Sequence, residues 1–295
     1  MYLDRFAEMV LALLIQFGTH AGNSPYSFQA VPECGLDPLK AACVVQPTCA
    51  VLDAWRCAEP RWSASRHAWV VSEVKMSAYR RYKGIAESIS RVVFMQARCK
   101  DARGVVREDC KPSGWPEGPE SLALVDAVTA ISESALREDI QFGYPPMGRG
   151  PDNEACLMQA MPAQIPQFAT WIPKAEKDAY ARMNNTQKHE QEEAWVAQML
   201  GDDPAALDKC FEVGSRMLAR ARGACPNGLY GMWSMYGTGN TCQVPQGTIA
   251  EPGFAKRRES MYTKMRAVKK PAVPADVKAA LGFVSEPIEV SSAAP

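Results

Sequence analysis

Ten cysteines in a chain of 295 residues, none of them in a C-x-x-C pair, constrain the fold more than any other feature of this sequence. Zinc ribbons and thioredoxin-type redox sites need that close spacing. An even number of widely spaced cysteines fits instead a chain that pairs them in an oxidising compartment. The expected location is therefore extracytoplasmic: periplasmic, secreted or virion-associated. Cys34, Cys43, Cys49 and Cys57 crowd an aperiodic, proline-containing stretch between residues 24 and 62. That stretch reads as a disulfide-stapled extension. Four cysteines allow three pairings, and the sequence does not choose among them. Cys99 and Cys110 flank "CKDARGVVREDC", a polar loop closed by its own bridge. His20, His67 and His189 lie far apart in sequence, which argues against a histidine-based metal site.

Between the cysteines the pattern is helical. Phe6, Val10, Leu13 and Phe17 recur at spacings of three and four, which predicts a helix at the N-terminus. The same run, "MVLALLIQFGTHAG", has the length of a signal-peptide core, but Asp4 and Glu8 stand against only Arg5 where a signal has a basic flank. It is too short to span a bilayer, so no integral membrane segment is expected. Tyr79, Tyr82, Ile85, Ile89 and Val93 form a second stripe, and "PAALDKCFEVGSRMLARARGAC" a further amphipathic helix. Residues 174 to 200 are charged and helical, a solvated surface segment. Strand signals are scarce. The expected fold is mainly α, with a helix and Cys-rich extension over 1–62, one helical domain over 63–268, and an extended or mobile tail over 269–295 carrying at most a short helical turn. Lys+Arg and Asp+Glu each number 33, so there is no basic footprint for nucleic acid.

A helix is also expected from Pro119 or Glu120 through "ISESALRED", stopping before "FGYPPMGRGP". Leu124, Val128, Ile131 and Ala135 form its core stripe. At about 100° per residue, Glu133 falls on the far side of the helix from that stripe. Periodicity alone makes it a surface glutamate.

The order of residues around and beyond this helix points elsewhere. Glu133 and Ser134 end the helix, a glycine-containing loop leads into Leu157, Met158 and Gln159, and Tyr236 and Gly239 come far downstream in "WSMYGTGN". This order resembles the lysozyme-like lytic transglycosylases, the group of soluble lytic transglycosylases and goose-type lysozymes. Their pattern is an E-S pair, then L-M-Q, then Y-N-x-G. The resemblance covers roughly residues 75 to 268. It departs from the family at Gly237, where the family usually has asparagine, and in the long charged segment between Gln159 and Tyr236.

The resemblance implies a lysozyme-like helical domain that cleaves the β-1,4 bond between N-acetylmuramic acid and N-acetylglucosamine in peptidoglycan. Glu133 would be the general acid and base, with Ser134, Met158, Gln159, Tyr236 and Gly239 at the substrate and no cofactor or metal. Breaking the bond requires a proton on the leaving oxygen. An exposed glutamate, with an ordinary pKa of about 4.3, has lost its proton at neutral pH, whereas a cleft with apolar walls raises that value. Met158, Trp233 and Tyr236 are the candidate walls. Asp139, Asp152 and Glu154 are the nearest candidates for a second acid. Cys225 and Cys242 bracket the segment that carries Tyr236, and Cys156 adjoins the L-M-Q motif with Cys210 as its expected partner on the following helix. Gly237 and the charged segment also allow a degenerate member of the family, a glycan-binding or structural protein without turnover.

Overall fold

The computed structural model describes residues 2–18, 62–63, 68–69, 72–96, 115, 117–143, 150, 153–225, 228–239, 242, 253–274, 277–278 and 281. The extension cysteines, Cys99, Cys110 and Asp152 lie outside the described residues, as does most of the segment between 19 and 71. The protein is mainly helical. Helix α1 (Tyr2–Leu13) runs on into a π-helical turn (Leu14–Gly18). A two-residue antiparallel pair joins β1 (Trp62–Ser63) to β2 (Ala68–Trp69). The long helix α2 (Ser72–Gln96) follows, then α3 (Pro119–Ser134) and the short α4 (Glu138–Phe142).

Helix α3 is the axis of the fold. Every residue from Ser121 to Ile131 is buried, so it has no solvent face on which Glu133 could lie. The surface position expected from the stripe is wrong for that reason. A helix apolar on nearly all sides is a core helix and not a surface one. Its neighbours surround it: α2 on one side, then α8 (Pro204–Ala224), α9 (Gly228–Thr238) and α10 (Gly253–Arg266). Three side-chain bonds fix its position among them. Ser215 Oγ on α8 donates to Asp126, at 2.7 Å from Oδ2. Trp233 Nε1 on α9 donates to Thr129 Oγ1 at 3.0 Å. Ser121 and the Tyr262 hydroxyl on α10 share a bond of 2.9 Å.

The helix ends at Ser134, earlier than "FGYPP", because Ala135 and Leu136 both take the left-handed conformation, at φ 50° and 53°. Ala135 is thus outside the helical stripe. Two successive non-glycine residues in that region cost energy, and the surroundings hold them. Ser134 Oγ donates to Ala130 O and accepts from Leu136 N. Buried Arg81 on α2 donates to Leu136 O at 3.1 Å and to Gln141 Oε1 at 2.9 Å.

Residues 174 to 200 form two helices, α6 (Lys174–Tyr180) and α7 (Asn185–Ala197), preceded by the short α5 (Ile165–Phe168). They break where Asn184 caps α7, exchanging bonds with Gln187. Trp195 and Val196 are buried, and the Trp195 indole donates to Glu176 at 2.6 Å. The rest of α6 and α7 is solvated.

The N-terminal helix is part of the core. Phe6, Val10, Leu11, Leu13 and Leu14 are buried, and the Phe6 ring meets Phe94 of α2 edge-on at 5.0 Å. In the segment after α10, Val273, Val277 and Leu281 are also buried, and Lys278 pairs with Glu8 at 2.6 Å. Cys156 and Cys210 are bridged, as are Cys225 and Cys242. No helix among the described residues is long and apolar enough to cross a membrane.

Candidate functional site

A cleft of about 440 Å³ opens where α3 ends. Its described lining comes from five pieces of chain: Glu133 from α3; Glu154, Gln159, Met161 and Gln164 from the loop after α4; Gln167 and Phe168 from α5; residues of α8, including Arg220; and Tyr236 of α9 with Gly239 just after it. The left-handed turn after Ser134 halts the helix as it reaches the surface. Glu133 therefore keeps a carboxyl at the cleft while its backbone stays in the core.

The Glu133 side chain is 18% exposed, and Oε1 lies 2.7 Å from Nη2 of Arg258, whose side chain is 8% exposed. Three influences act on its proton. Burial pushes the carboxyl above its ordinary value and outweighs the rest; the Arg258 guanidinium pulls it down; the charge of Glu154 pushes it up again. The result is a carboxyl that holds its proton more tightly than an exposed glutamate.

Arg258 is not among the residues the motifs single out. The signal lies in α10, where Ala255, Arg258, Tyr262 and Met265 recur at spacings of three, four and three and are all buried. One arginine on an otherwise apolar stripe calls for a partner carboxylate, because an unpaired buried charge is costly. Its guanidinium also lies over the Phe254 ring, at 4.7 Å from the centroid.

Phe254 in turn explains Gly237. A Cβ at residue 237 would sit 2.7 Å from the edge of that ring. The missing side chain allows α10 to close on α9, which carries Arg258 to Glu133. Where the family pattern has an amide, this chain has an aromatic ring.

The motif residues divide in two. Glu133, Gln159, Tyr236 and Gly239 share the cleft. Ser134 is buried and serves the helix end through its bonds to Ala130 and Leu136. Met158 is also buried; its side chain packs on Gly214, where a Cβ would come within 2.6 Å. Its carbonyl accepts a 2.5 Å bond from the Tyr236 hydroxyl. Burial and then the Glu133 charge push that hydroxyl well above its ordinary value, so Tyr236 stays neutral and locks the loop to α9. Trp233, a candidate wall, is fully buried and bonded to Thr129. The apolar walls are instead Met161, Phe168, Met217 and Met235. Of the candidate second acids, Glu154 lines the cleft.

Gln159 stands on a tight hairpin. Ala155 and Ala160 exchange backbone bonds of 2.9 and 2.8 Å, and Cys156 and Gln159 both take left-handed conformations, at φ 58° and 49°. Gln159 donates from Nε2 to Cys156 O at 3.0 Å. The Cys156–Cys210 bridge pins this hairpin to α8, and Cys225–Cys242 closes the segment carrying α9. Both walls of the cleft are thus covalently tied. In chain-entropy models loops of these lengths are worth roughly 3 to 4 kcal/mol each.

Comparison with protein-family models, with curated proteins and with solved structures yields no match.

Proposed function

We propose that the protein is a peptidoglycan-cleaving enzyme of the lysozyme-like lytic transglycosylase type, working outside the cytoplasm, with Glu133 as its acid and base. The observation that carries this reading is a half-buried carboxyl of raised proton affinity at the end of the central helix, facing a cleft it shares with Gln159, Tyr236 and Gly239. Amide side chains and thioether or aromatic walls in one groove suit a sugar, whose rings have apolar faces and hydroxyl and acetamido edges.

In the reaction, protonated Glu133 donates to the glycosidic oxygen. The bond's electron pair leaves with that oxygen, and positive charge develops on the sugar. The carboxylate so formed then takes a proton from the sugar's own 6-hydroxyl, closing a 1,6-anhydro ring, or from water, giving the hydrolysed end. Either way Glu133 regains the proton it gave. Arg258 stabilises the carboxylate in the charged half of the cycle. Tyr236 and the hairpin keep Gln159 in place.

The test is turbidity clearing of purified cell walls. Wild type clears, and Glu133→Gln, which keeps the shape but cannot release a proton, loses on the order of 100- to 10,000-fold in rate. Equal clearing by both, or none by either, counts against the enzyme. Mass spectrometry of the released fragments separates the two products.

One observation favours a second reading, a glycan-binding protein without turnover. The Arg258 guanidinium on Glu133 opposes protonation. Cell walls that bind wild type and Glu133→Gln alike and are cleared by neither would support it.

A further inference from the structure

Over the whole chain positive and negative residues balance, at 33 each. Along α10 they do not. Residues 253 to 270 hold seven basic residues and one acid, Glu259. Arg258 is turned inward onto Glu133. The others, Lys256, Arg257, Lys264, Arg266, Lys269 and Lys270, are all exposed. At about 100° per residue, Lys256, Arg257, Ser260, Thr263 and Lys264 fall on the side of α10 opposite its buried stripe of Ala255, Arg258, Tyr262 and Met265. Arg266 in the last turn, with Lys269 and Lys270 just beyond it, carries the charge past the C-terminal end.

The described neighbours do little to offset this charge. Arg91 rests on Asp208, Arg222 on Glu117 and Lys278 on Glu8, but Lys256, Lys264, Arg266, Lys269 and Lys270 have no ion-pair partner among the described residues. Of the helices packed on α10, α9 has no charged residue. On α3, Asp126 is buried, Glu133 faces Arg258, and Glu120 adjoins Ser121, the partner of Tyr262 on the inner stripe. Cations in a last turn suit the helix dipole, which accounts for Lys264 and Arg266. Lys256 and Arg257 stand near the N-terminal end, where a cation opposes the dipole. The fold gains nothing from them there; a negatively charged partner does. The face also has a shape. It is the convex outer side of a helix without an aromatic ring, so it offers neither the groove nor the stacking platforms that hold single-stranded nucleic acid. Ser260 and Thr263 are small, and the long basic side chains around them can reach one plane. A flat anionic surface fits such a face.

We infer that the outer face of α10 is a docking surface for the phosphate headgroups of an anionic lipid bilayer. A cluster of this size on one amphipathic helix is enough for peripheral binding. The face bears no exposed large apolar side chain, so nothing inserts, and salt releases the protein. The inference is independent of the glycan reading. Docking and acid use opposite sides of the same helix, so substitutions on the outer face leave the pair between Arg258 and Glu133 in place.

The experiment is co-sedimentation of the full chain with vesicles at low salt. One set is phosphatidylcholine alone; the other is equal parts phosphatidylcholine and phosphatidylglycerol. The protein binds the anionic set at least tenfold more tightly, and added salt weakens that binding. Each basic residue near such a surface contributes about fivefold. The combined variant Lys256→Gln, Arg257→Gln and Lys264→Gln therefore loses on the order of 100-fold, and Lys256→Gln alone about fivefold. A control removes the same charge elsewhere, at the exposed residues Arg80, Lys174 and Arg182, each replaced by Gln, and keeps most of the affinity. Melting temperatures within a few degrees of wild type show that both variants fold. Equal binding to the two vesicle sets overturns the inference, as does an anionic preference that survives the α10 substitutions or one that the control loses equally. Soluble polyphosphate that binds more tightly than the vesicles at equal phosphate overturns the choice of a bilayer. Wall clearing is not part of the readout, so each of these failures leaves the glycan reading where it stood.

Discussion

Gly237 carries a hydrogen where other residues carry a carbon, and the Phe254 ring fills the space. From that contact a chain of dependence runs to the candidate acid: ring on glycine, guanidinium on ring, carboxyl on guanidinium. Placing at this position the amide found in the lytic transglycosylases that the motif order resembles should therefore do harm. Gly237→Asn drives a side chain into the ring, and such overpacking costs roughly 1–3 kcal/mol. The expected result is a melting temperature lowered by several degrees, with wall clearing reduced as Arg258 shifts; a variant as stable and at least as active as wild type would show that the ring does not set this geometry. Arg258 itself has a pH signature. Burial raises the proton affinity of Glu133 and the guanidinium moderates it. Arg258→Met removes the moderating charge, so Glu133 keeps its proton to higher pH. The alkaline limb of kcat/KM, which tracks loss of the acid's proton, moves upward in the variant. A limb that stays put or moves down refutes the assigned role.

Among the elements, α3 decides most, and it also separates what the sequence states from what it hides. Helix periods and the mainly α class are written locally, in spacings of three and four, so α2 and α8 are legible from residues alone. Full burial of α3 is not, because it depends on four neighbours that only the tertiary structure assembles. The clue is present in "SLALVDAVTAI", which is apolar on every side except for Asp126 and the small hydroxyls. A stripe chosen from it cannot locate Glu133. The motif order locates it, as does nothing else in the sequence, while Arg258, Gln167 and Arg220 come from segments without a motif. Asp126 shows what full burial does to a carboxyl. Buried between α3 and α8, its proton affinity is raised well above the ordinary range by desolvation, with Ser215 pulling weakly the other way. The folded state thus holds a proton that the unfolded state has released. As pH rises from the unfolded carboxyl range through the folded pKa, stability falls, and above that pKa it levels off. Asp126→Asn keeps a bond to Ser215 without the titration. The difference in urea midpoint between variant and wild type should grow in the variant's favour from acid to neutral pH; a constant difference across that range would mean that Asp126 does not titrate on unfolding.

At the scale of the whole molecule the two described ends meet. Lys278 reaches Glu8 on α1, and Val273, Val277 and Leu281 join the same buried cluster as Phe6, Val10 and Leu14. The ion pair matters least. Both side chains are about a third exposed, at 37% and 26%, and such pairs contribute between about 0 and 1 kcal/mol. The apolar contacts matter more. Fully burying one large aliphatic or aromatic side chain is worth roughly 1.5–3 kcal/mol, and α1 with its π-helical turn buries Phe6, Val10, Leu11, Leu13, Leu14 and Ile15. Against a net stability of roughly 5–15 kcal/mol for an ordinary domain, that contribution is not one the rest of the chain can lose. It also bears on the cleft. Helix α1 packs on α2, and α2 supplies Arg81, the residue that braces the left-handed turn after Glu133. A chain lacking residues 2–15 should therefore lose its cooperative thermal transition and its wall-clearing activity together, while Lys278→Ala melts within a few degrees of wild type. A truncated protein that still unfolds cooperatively near the wild-type temperature would place α1 outside the folding unit and separate the turn from the N-terminal core.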